Sequence, residues 1–351
     1  MSTIYEVAKR AGVSTATVSR ILSRASVGAP ATRRKVMQAV ERLSYTPNST
    51  AANLRMLRTA KLLVTLPDIS NPFFSLILRG IEDAAQRAGY SVLVGDAQDD
   101  RSREERYALM LRRKEADGLI FFGDRLPREA AALVRSMAPR CAPVVKGACK
   151  FNPRLGIPSV HINNAKAAGE AMDHLYRLGH RRIGIVTGPP ATSLSRDRLR
   201  GARMRARAEG ADRDITVISG DYSIESGIDA ADVLLAGREK PTAIFCFNDE
   251  MAIGVVESAR LHGLVVPRDL SVVGFDDIRF ARHTDPPLTT IAQPMREIGE
   301  ATVRVLLEIL NGVPNGAAPA SITLRHKLIV RGSTAAPGTS RVGRVTSHLR
   351  G

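Results

Sequence analysis

The sequence predicts an α/β protein: an N-terminal helix-turn-helix head followed by two doubly wound α/β subdomains. Three observations lead there. The first sixty residues carry ten basic side chains against two acidic ones, a net +8 of the chain's +16, and place apolar residues at helical spacing. Downstream, continuous apolar β-rich runs alternate with amphipathic stretches, the signature of parallel sheets covered by helices on both faces. The chain has 351 residues, enough for more than one core.

In the head, Thr3 followed by Glu6 makes a capping box, so a helix starts near Ile4. Ile4, Val7, Ala8 and Ala11 share one face of it, and Gly12 stops it. Ser14 can cap a second helix, in which Val18, Ile21 and Leu22 point inward. At 100° per residue, Ala16 and Arg20 then point most directly outward, with Thr17 and Ser19 beside them and Thr15 at the start. Two helices joined by a short Gly-containing turn read as a helix-turn-helix. An ordinary helical hairpin with a solvated face has the same spacing, and the basic charge favours the former. A third helix follows Pro30, with Val36, Val40 and Leu43 inward and Arg33, Arg34 and Lys35 exposed.

The next stretch, "NSTAANLRMLRTAK" (48–61), is Ala-rich and basic and has no evident core to join. It is too short for a stable isolated helix, so it reads as a segment that orders against a partner, or as a tether. Strand-like runs follow at 61–66, 90–96, 117–123, 142–147, 181–188, 215–220, 242–249 and 270–277. Helical patterns between them include Phe74–Ala88, Arg103–Ala116, Lys166–Leu178, Arg196–Glu209 and Glu250–Leu261. Eight strands over this length suit two sheets better than one.

Ligands of such folds bind beyond the carboxyl ends of the strands. Those ends carry Asp68–Phe74, Asp96, Gly123-Asp124, Lys146, Thr187–Arg198, Asp221-Tyr222, Asn248-Asp249 and Asp276-Asp277. Aromatics, an Arg and carboxylates in one cleft suit a polar ligand with a stackable ring. Each residue taken singly reads equally as a turn or cap, Asp249 above all, because "ND" also starts helices.

Several function classes are excluded. No apolar run approaches the roughly 20 residues of a membrane span, and "MSTIYEVAKRAG" lacks the profile of a secretory signal. A cytoplasmic protein is expected, with reduced, mostly core thiols at Cys141, Cys149 and Cys246. There is no GxSxG, HExxH or P-loop, and the seven histidines are scattered. Hence no catalytic residues, no metal and no cofactor are expected. The basic head calls for a polyanion, nucleic acid first.

Two stretches, "TIYEVAKRAGVSTATVSRIL" and "TRRKVMQAVERLSYTPNSTAANLR", resemble the DNA-binding head of the lactose/galactose repressor (LacI/GalR) family. "PDISNPFFSLILRGIEDAAQRAGY", "LGHRRIGIVTGP", "PTAIFCFNDEMAIGVVESARLHGLVVPRDLSVVGFDD" and "DPPLTTIAQP" extend the resemblance over about residues 3–333. It implies an allosteric, homodimeric transcriptional repressor, cytoplasmic and nucleoid-associated, on a pseudo-palindromic double-stranded operator. Its body would resemble type I periplasmic binding proteins. The implied domains are a head at 1–47, a hinge at 48–60 and an effector and dimerisation unit at 61–336. Within that unit the N-subdomain spans about 61–162 and 293–321, and the C-subdomain about 163–292 and 322–336. A disordered basic tail is expected over 337–351.

Matching positions imply base contacts from Thr15, Ala16 and Arg20 and phosphate contacts from Ser14, Thr17 and Ser19. Ala16 stands where other members carry a long side chain, leaving Arg20 as the long donor. Asn48, Ala51, Leu54 and Arg55 fall on the hinge helix, with Leu54 as a minor-groove wedge. The implied effector site has Phe73 and Phe74 as stacking walls, Arg198 and Asp276 as polar anchors and Tyr222 across the cleft. Thr192, Asn163 and Asp249 are further candidates. The stretch 192–195 departs from the purine-binding pattern, and Asn163 replaces the usual Asp of a "DN" pair. A purine base is thereby disfavoured, and the resemblance implies a nucleoside such as cytidine as the effector, ahead of a sugar or a purine base. Two other readings stand beside this one. A periplasmic-type solute-binding protein would need a signal peptide and no basic head, and a ligand-modifying enzyme with an accessory head would need a catalytic set.

Overall fold

A computed structural model of the chain describes residues 2–23, 28–45, 58–138, 140–312 and 319–338. It has two compact units, residues 1–59 and 60–351.

The head consists of α1 (Ile4–Ala11), α2 (Thr15–Ser23) and α3 (Pro30–Arg42). The capping box is formed in full. The Thr3 hydroxyl accepts from the Glu6 amide, and the Glu6 carboxylate accepts from the Thr3 amide at 2.7 Å. Gly12 ends α1 at φ +65°, a conformation that costs a side-chain-bearing residue more. The Ser14 hydroxyl accepts from the Thr17 amide at 3.2 Å and so caps α2. Val7, Ala8, Ala11, Val18, Ile21, Val36 and Ala39 form the core, edged by Ile4, Val13, Leu22, Val40, Leu43 and Tyr45. Arg34 and Lys35 are exposed as expected, whereas Arg33 is half-buried.

The body begins with β1 (Lys61–Leu66), α4 (Phe73–Arg87), β2 (Ser91–Asp96), α5 (Arg101–Arg112), β3 (Gly118–Phe121), α6 (Arg128–Met137), β4 (Val144–Ala148) and β5 (Ser159–Ile162). It continues through α7 (Asn164–Arg177), β6 (Ile183–Thr187), α8 (Ser193–Ala208), β7 (Ile215–Ser219), α9 (Ile224–Ala236), β8 (Ala243–Cys246), α10 (Asp249–Leu261), β9 (Ser271–Asp276) and β10 (Thr289–Ala292). It ends with α11 (Met295–Leu310), β11 (Ile322–Leu324) and β12 (Lys327–Ile329). The first sheet has the order β11-β5-β4-β3-β1-β2 and is parallel throughout. The second has the order β12-β10-β9-β8-β6-β7, with β12 antiparallel at one edge. Its central strands β8 and β9 are buried along their whole length, which is why they read as unbroken apolar runs.

The described residues contain twelve strands against the eight expected. The additions are β5, β10, β11 and β12, each of three or four residues, too short to show a period in sequence. The chain crosses between the sheets after β5, after β10 and after β11. The last crossing corrects one expected boundary. Ile322–Leu324 belongs to the first sheet, because it pairs in register with Val160–Ile162 at that sheet's edge. α5 starts at Arg101 rather than Arg103, because the Asp100 carboxylate accepts from the amides of Ser102 and Arg103. It ends at Arg112 rather than Ala116, with Lys114 at φ +60°. α4 and α11 pack through glycine: a Cβ on Gly80 would lie 2.1 Å from the Arg296 carbonyl oxygen.

The described residues include no helix long and apolar enough to cross a membrane. All three cysteines are free thiols, with Cys149 and Cys246 buried and Cys141 half-buried.

Candidate functional site

A cavity of about 600 Å³ lies in the body at the carboxyl ends of strands from both sheets. From the first sheet's side it is lined by Phe73 and Phe74 at the start of α4, Phe122 and Asp124 after β3, and Lys146 in β4. From the second come Thr192 before α8, Arg198 within it, Tyr222 after β7, Glu250 in α10 and Asp276 at the end of β9.

The aromatic wall is a corner of three rings. Phe73 and Phe74 meet edge to face with centroids 5.1 Å apart, and Phe74 meets Phe122 in the same way at 5.6 Å. Beginning α4 at Phe73 places both rings at the strand ends. The Asn71 carboxamide helps by accepting from the Phe73 amide at 2.9 Å.

Opposite stands a buried polar assembly. The Asp276 backbone is at φ +115°, a strained conformation of the kind that clusters at ligand sites. The Asp276 carboxylate accepts from the Gln293 amide group at 2.7 Å and lies 3.6 Å from an Arg198 terminal nitrogen. Arg198 Nε donates to the Asn164 side-chain oxygen at 3.0 Å, and a second terminal nitrogen donates to the Phe247 carbonyl. Its guanidinium stacks 3.6 Å over the Phe275 ring. Burial pushes the Asp276 carboxyl up to about 6, against the pull of Arg198. Glu250 is pushed up to about 7, by burial first and then by Asp276, Asp68 and Glu225.

Tyr222, at φ +78°, lays its ring against Gly188, where a Cβ would come within 2.0 Å of a ring carbon. Its hydroxyl is 2.8 Å from Ser195 Oγ, and its carbonyl accepts from Asn248 at 2.7 Å. The Thr192 hydroxyl accepts from the Ser195 amide and so begins α8. The Lys146 ammonium is fully buried and turned onto the backbone, donating to the carbonyls of Phe122 (2.9 Å) and Gly147 (2.7 Å).

Six sequence candidates, Phe73, Phe74, Thr192, Arg198, Tyr222 and Asp276, thus line one cavity. Two others do not. Asn163 is exposed and caps α7 by accepting from the Lys166 amide at 3.0 Å. Its neighbour Asn164, buried and bonded to Arg198, is the residue of that pair tied to the cavity. Asp249 lies behind the site. Its carboxylate accepts from the Thr290 hydroxyl at 2.5 Å and the Ile278 amide at 2.8 Å, and burial holds its pKa well above the usual range. The helix-start reading of "ND" therefore describes Asn248-Asp249, with Asn248 accepting from the Met251 amide. Glu250, Asn164, Gln293 and Phe122 were not singled out in sequence. The strand-end rule reached their neighbours. Glu250 and Phe122 line the cavity themselves, whereas Asn164 and Gln293 stand behind it and hold Arg198 and Asp276.

In the head, Ala16 and Arg20 are exposed, and Arg20 Nε donates to the Ala16 carbonyl at 3.4 Å. Ser14 is exposed and lies 3.0 Å from the Thr17 hydroxyl, while Thr15, Thr17 and Ser19 are half-buried. The hinge candidates Asn48, Ala51, Leu54 and Arg55 lie outside the described residues, as does the tail beyond residue 338.

Residues 3–48 match the family model "Bacterial regulatory proteins, lacI family", and residues 172–334 match the "Periplasmic binding protein-like domain". The chain is 40% identical over 336 residues to the HTH-type transcriptional repressor CytR of Escherichia coli (strain K12), covering 95% of this chain and 97% of that one. It is 36% identical over 334 residues to catabolite control protein A of Priestia megaterium, covering 95% and 99%. Among solved structures, the lac repressor dimer bound to operator and the anti-inducer ONPF superposes with a TM-score of 0.84 at 29% identity, covering 95% of this chain and 99% of that one.

Proposed function

The chain belongs to the LacI family of bacterial regulatory proteins, and from that premise we propose that it is a homodimeric repressor released from, or held on, its operator by a nucleoside. It is a DNA-binding regulator of transcription, as its named relatives are, and not an enzyme. The head reads a pseudo-palindromic operator through α2. Thr15, Ala16 and Arg20 meet base edges, and Ser14, Thr17 and Ser19 meet phosphates. Support comes from the outward stacking of Ala16 and Arg20 on one face. With Ala16 offering only apolar contact, Arg20 is the group suited to a bidentate guanine contact. The second copy that two half-sites require is proposed on the pattern of the lac repressor, whose solved structure is a dimer on operator.

One observation carries the effector reading. A three-ring aromatic corner faces a buried Arg198–Asp276 pair across a single cavity. The rings cover a base, and the carboxylate accepts from vicinal ribose hydroxyls. A free sugar is the second reading, since aromatic faces also cover pyranose rings. A ligand that bridges both walls favours one closure of the cleft, and a few kcal/mol of differential affinity suffices to switch operator occupancy.

A thermal-shift screen of cytidine, uridine, adenosine, ribose and glucose tests this. Cytidine is expected to raise the body's melting temperature, and Asp276→Ala to abolish the rise. A shift by a free sugar alone would replace the nucleoside with the sugar reading.

A further inference from the structure

The electrostatics of the cavity narrow the effector further. Seven carboxylates line it, Asp124, Glu250 and Asp276 among them, against two cations, Lys146 and Arg198. Both cations are already engaged. Lys146 donates to two backbone carbonyls, and Arg198 is bonded to Asn164 and Phe247 and faces Asp276.

One of the helix N-termini at the cavity, that of α8, is also occupied. α8 opens into the cavity between Thr192 and Leu194, and its first amide, that of Ser193, donates to Asp124 at 2.7 Å. The Ser193 hydroxyl donates to the same Asp124 oxygen at 2.6 Å. Asp124 follows β3 of the first sheet and Ser193 begins α8 beside the second, so this contact spans the cleft. The helix's positive end, which attracts anions in general, is met by the protein's own carboxylate.

We propose that the cavity takes an uncharged ligand and rejects its phosphorylated counterpart, with Asp124 as the specificity-determining residue. The proposal builds on the nucleoside reading by naming the charge class of that ligand. A phosphate entering the cavity meets no unengaged cation among the lining residues, displaces Asp124 from Ser193 or lies against it, and brings its charge up to the Asp124 carboxylate. Like charges brought together in a partly desolvated site repel one another strongly.

The test compares molecules differing by one phosphate. Cytidine is set against cytidine 5′-monophosphate, and ribose against ribose 5-phosphate, by titration calorimetry with the full chain. In each pair that binds, the phosphorylated member is expected to be weaker by a factor of about 100. Asp124→Asn keeps an oxygen for Ser193 and removes the charge, and it is expected to narrow that ratio about tenfold; Asp124→Ser serves as a second variant. Equal binding within a pair, or a ratio that neither variant changes, overturns the proposal. Binding of the ribose pair alone, with the ratio intact, would sink the nucleoside reading and leave the charge selection standing. Inorganic phosphate decides the matter without either organic ligand. At fixed ionic strength it is expected to raise the melting temperature of Asp124→Asn and not of the wild type. A rise in the wild type, or in neither protein, overturns the role of Asp124.

Discussion

The outer face of α2 and the cavity of the body both gather polar side chains, but they hold them differently. On α2, Ala16 and Arg20 stand in solvent, and the Arg20 guanidinium rests on one long backbone contact within its own helix. In the cavity, Arg198 and Asp276 are almost fully buried and locked to Asn164, Phe247 and Gln293. A surface that reads a large polyanion needs groups free to move onto it. A pocket for a small ligand needs groups already in place, since a small ligand offers few contacts to offset ordering them. Substitutions on the first surface should therefore cost recognition alone, and substitutions in the second should cost stability as well.

The largest expected effect tests the second half of that contrast. Arg198→Ala strips the buried Asp276 of its ionic partner, and loss of one member of such a pair costs about 3–5 kcal/mol. Urea unfolding of the body should show it. A loss of ligand binding with unchanged stability would break the contrast. Next, Asp249→Ala leaves the Thr290 hydroxyl and the Ile278 amide without their acceptor, at about 1–3 kcal/mol for each unsatisfied group. Asp249→Asn keeps the side chain's volume and one acceptor oxygen and should be milder, and equal damage from both would show that both oxygens are needed.

In the head, Arg20→Ala should lower discrimination at one base pair by about 1–3 kcal/mol. It should leave the head's unfolding within about 0.5 kcal/mol. Operator-variant titrations beside thermal melts check both, and uniform weakening on every sequence would make Arg20 a phosphate contact.

The smallest effect is a pH dependence, because Glu250 is only half-buried and solvent screens its charge. Glu250 ionises near 4.5 when unfolded and at about 7 when folded, so between those values the folded state holds the extra proton. Its contribution to stability is then full below 4.5 and is lost as pH rises to about 7. The body's melting temperature should fall over that window, and Glu250→Gln should flatten the fall. An unchanged slope would show that Glu250 meets more water than its position implies.

Much of this was legible in the chain because local chemistry decided it. Thr3, Glu6, Gly12 and Ser14 act within four residues of themselves, so each cap could be read directly and is formed as read. The long apolar runs at 61–66 and 270–277 could belong only to buried parallel strands, and do. Legibility failed where the partner is distant. β11 is three residues whose identity as a strand rests on pairing with a segment some 160 residues away. Asn163 and Asn164 are identical in chemistry. Only the phase of α7 turns the first to solvent and the second onto Arg198. Asp249 and Asp276 both sit at strand ends, and only the packing of β10 beside β9 places Thr290 within reach of Asp249.

By itself, then, the sequence determined the class of this protein: a basic helix-turn-helix head, a twice-repeated β-α body, and a family of regulators. Caps, periodicity and net charge are properties of neighbouring residues, and no folding is needed to see them. The tertiary structure alone decided which carboxylates face the cavity, which cations there are already engaged, and that Asp124 reaches across to Ser193. Those facts depend on side chains brought together from elements tens to hundreds of residues apart, and burial sets their charge as much as their identity does.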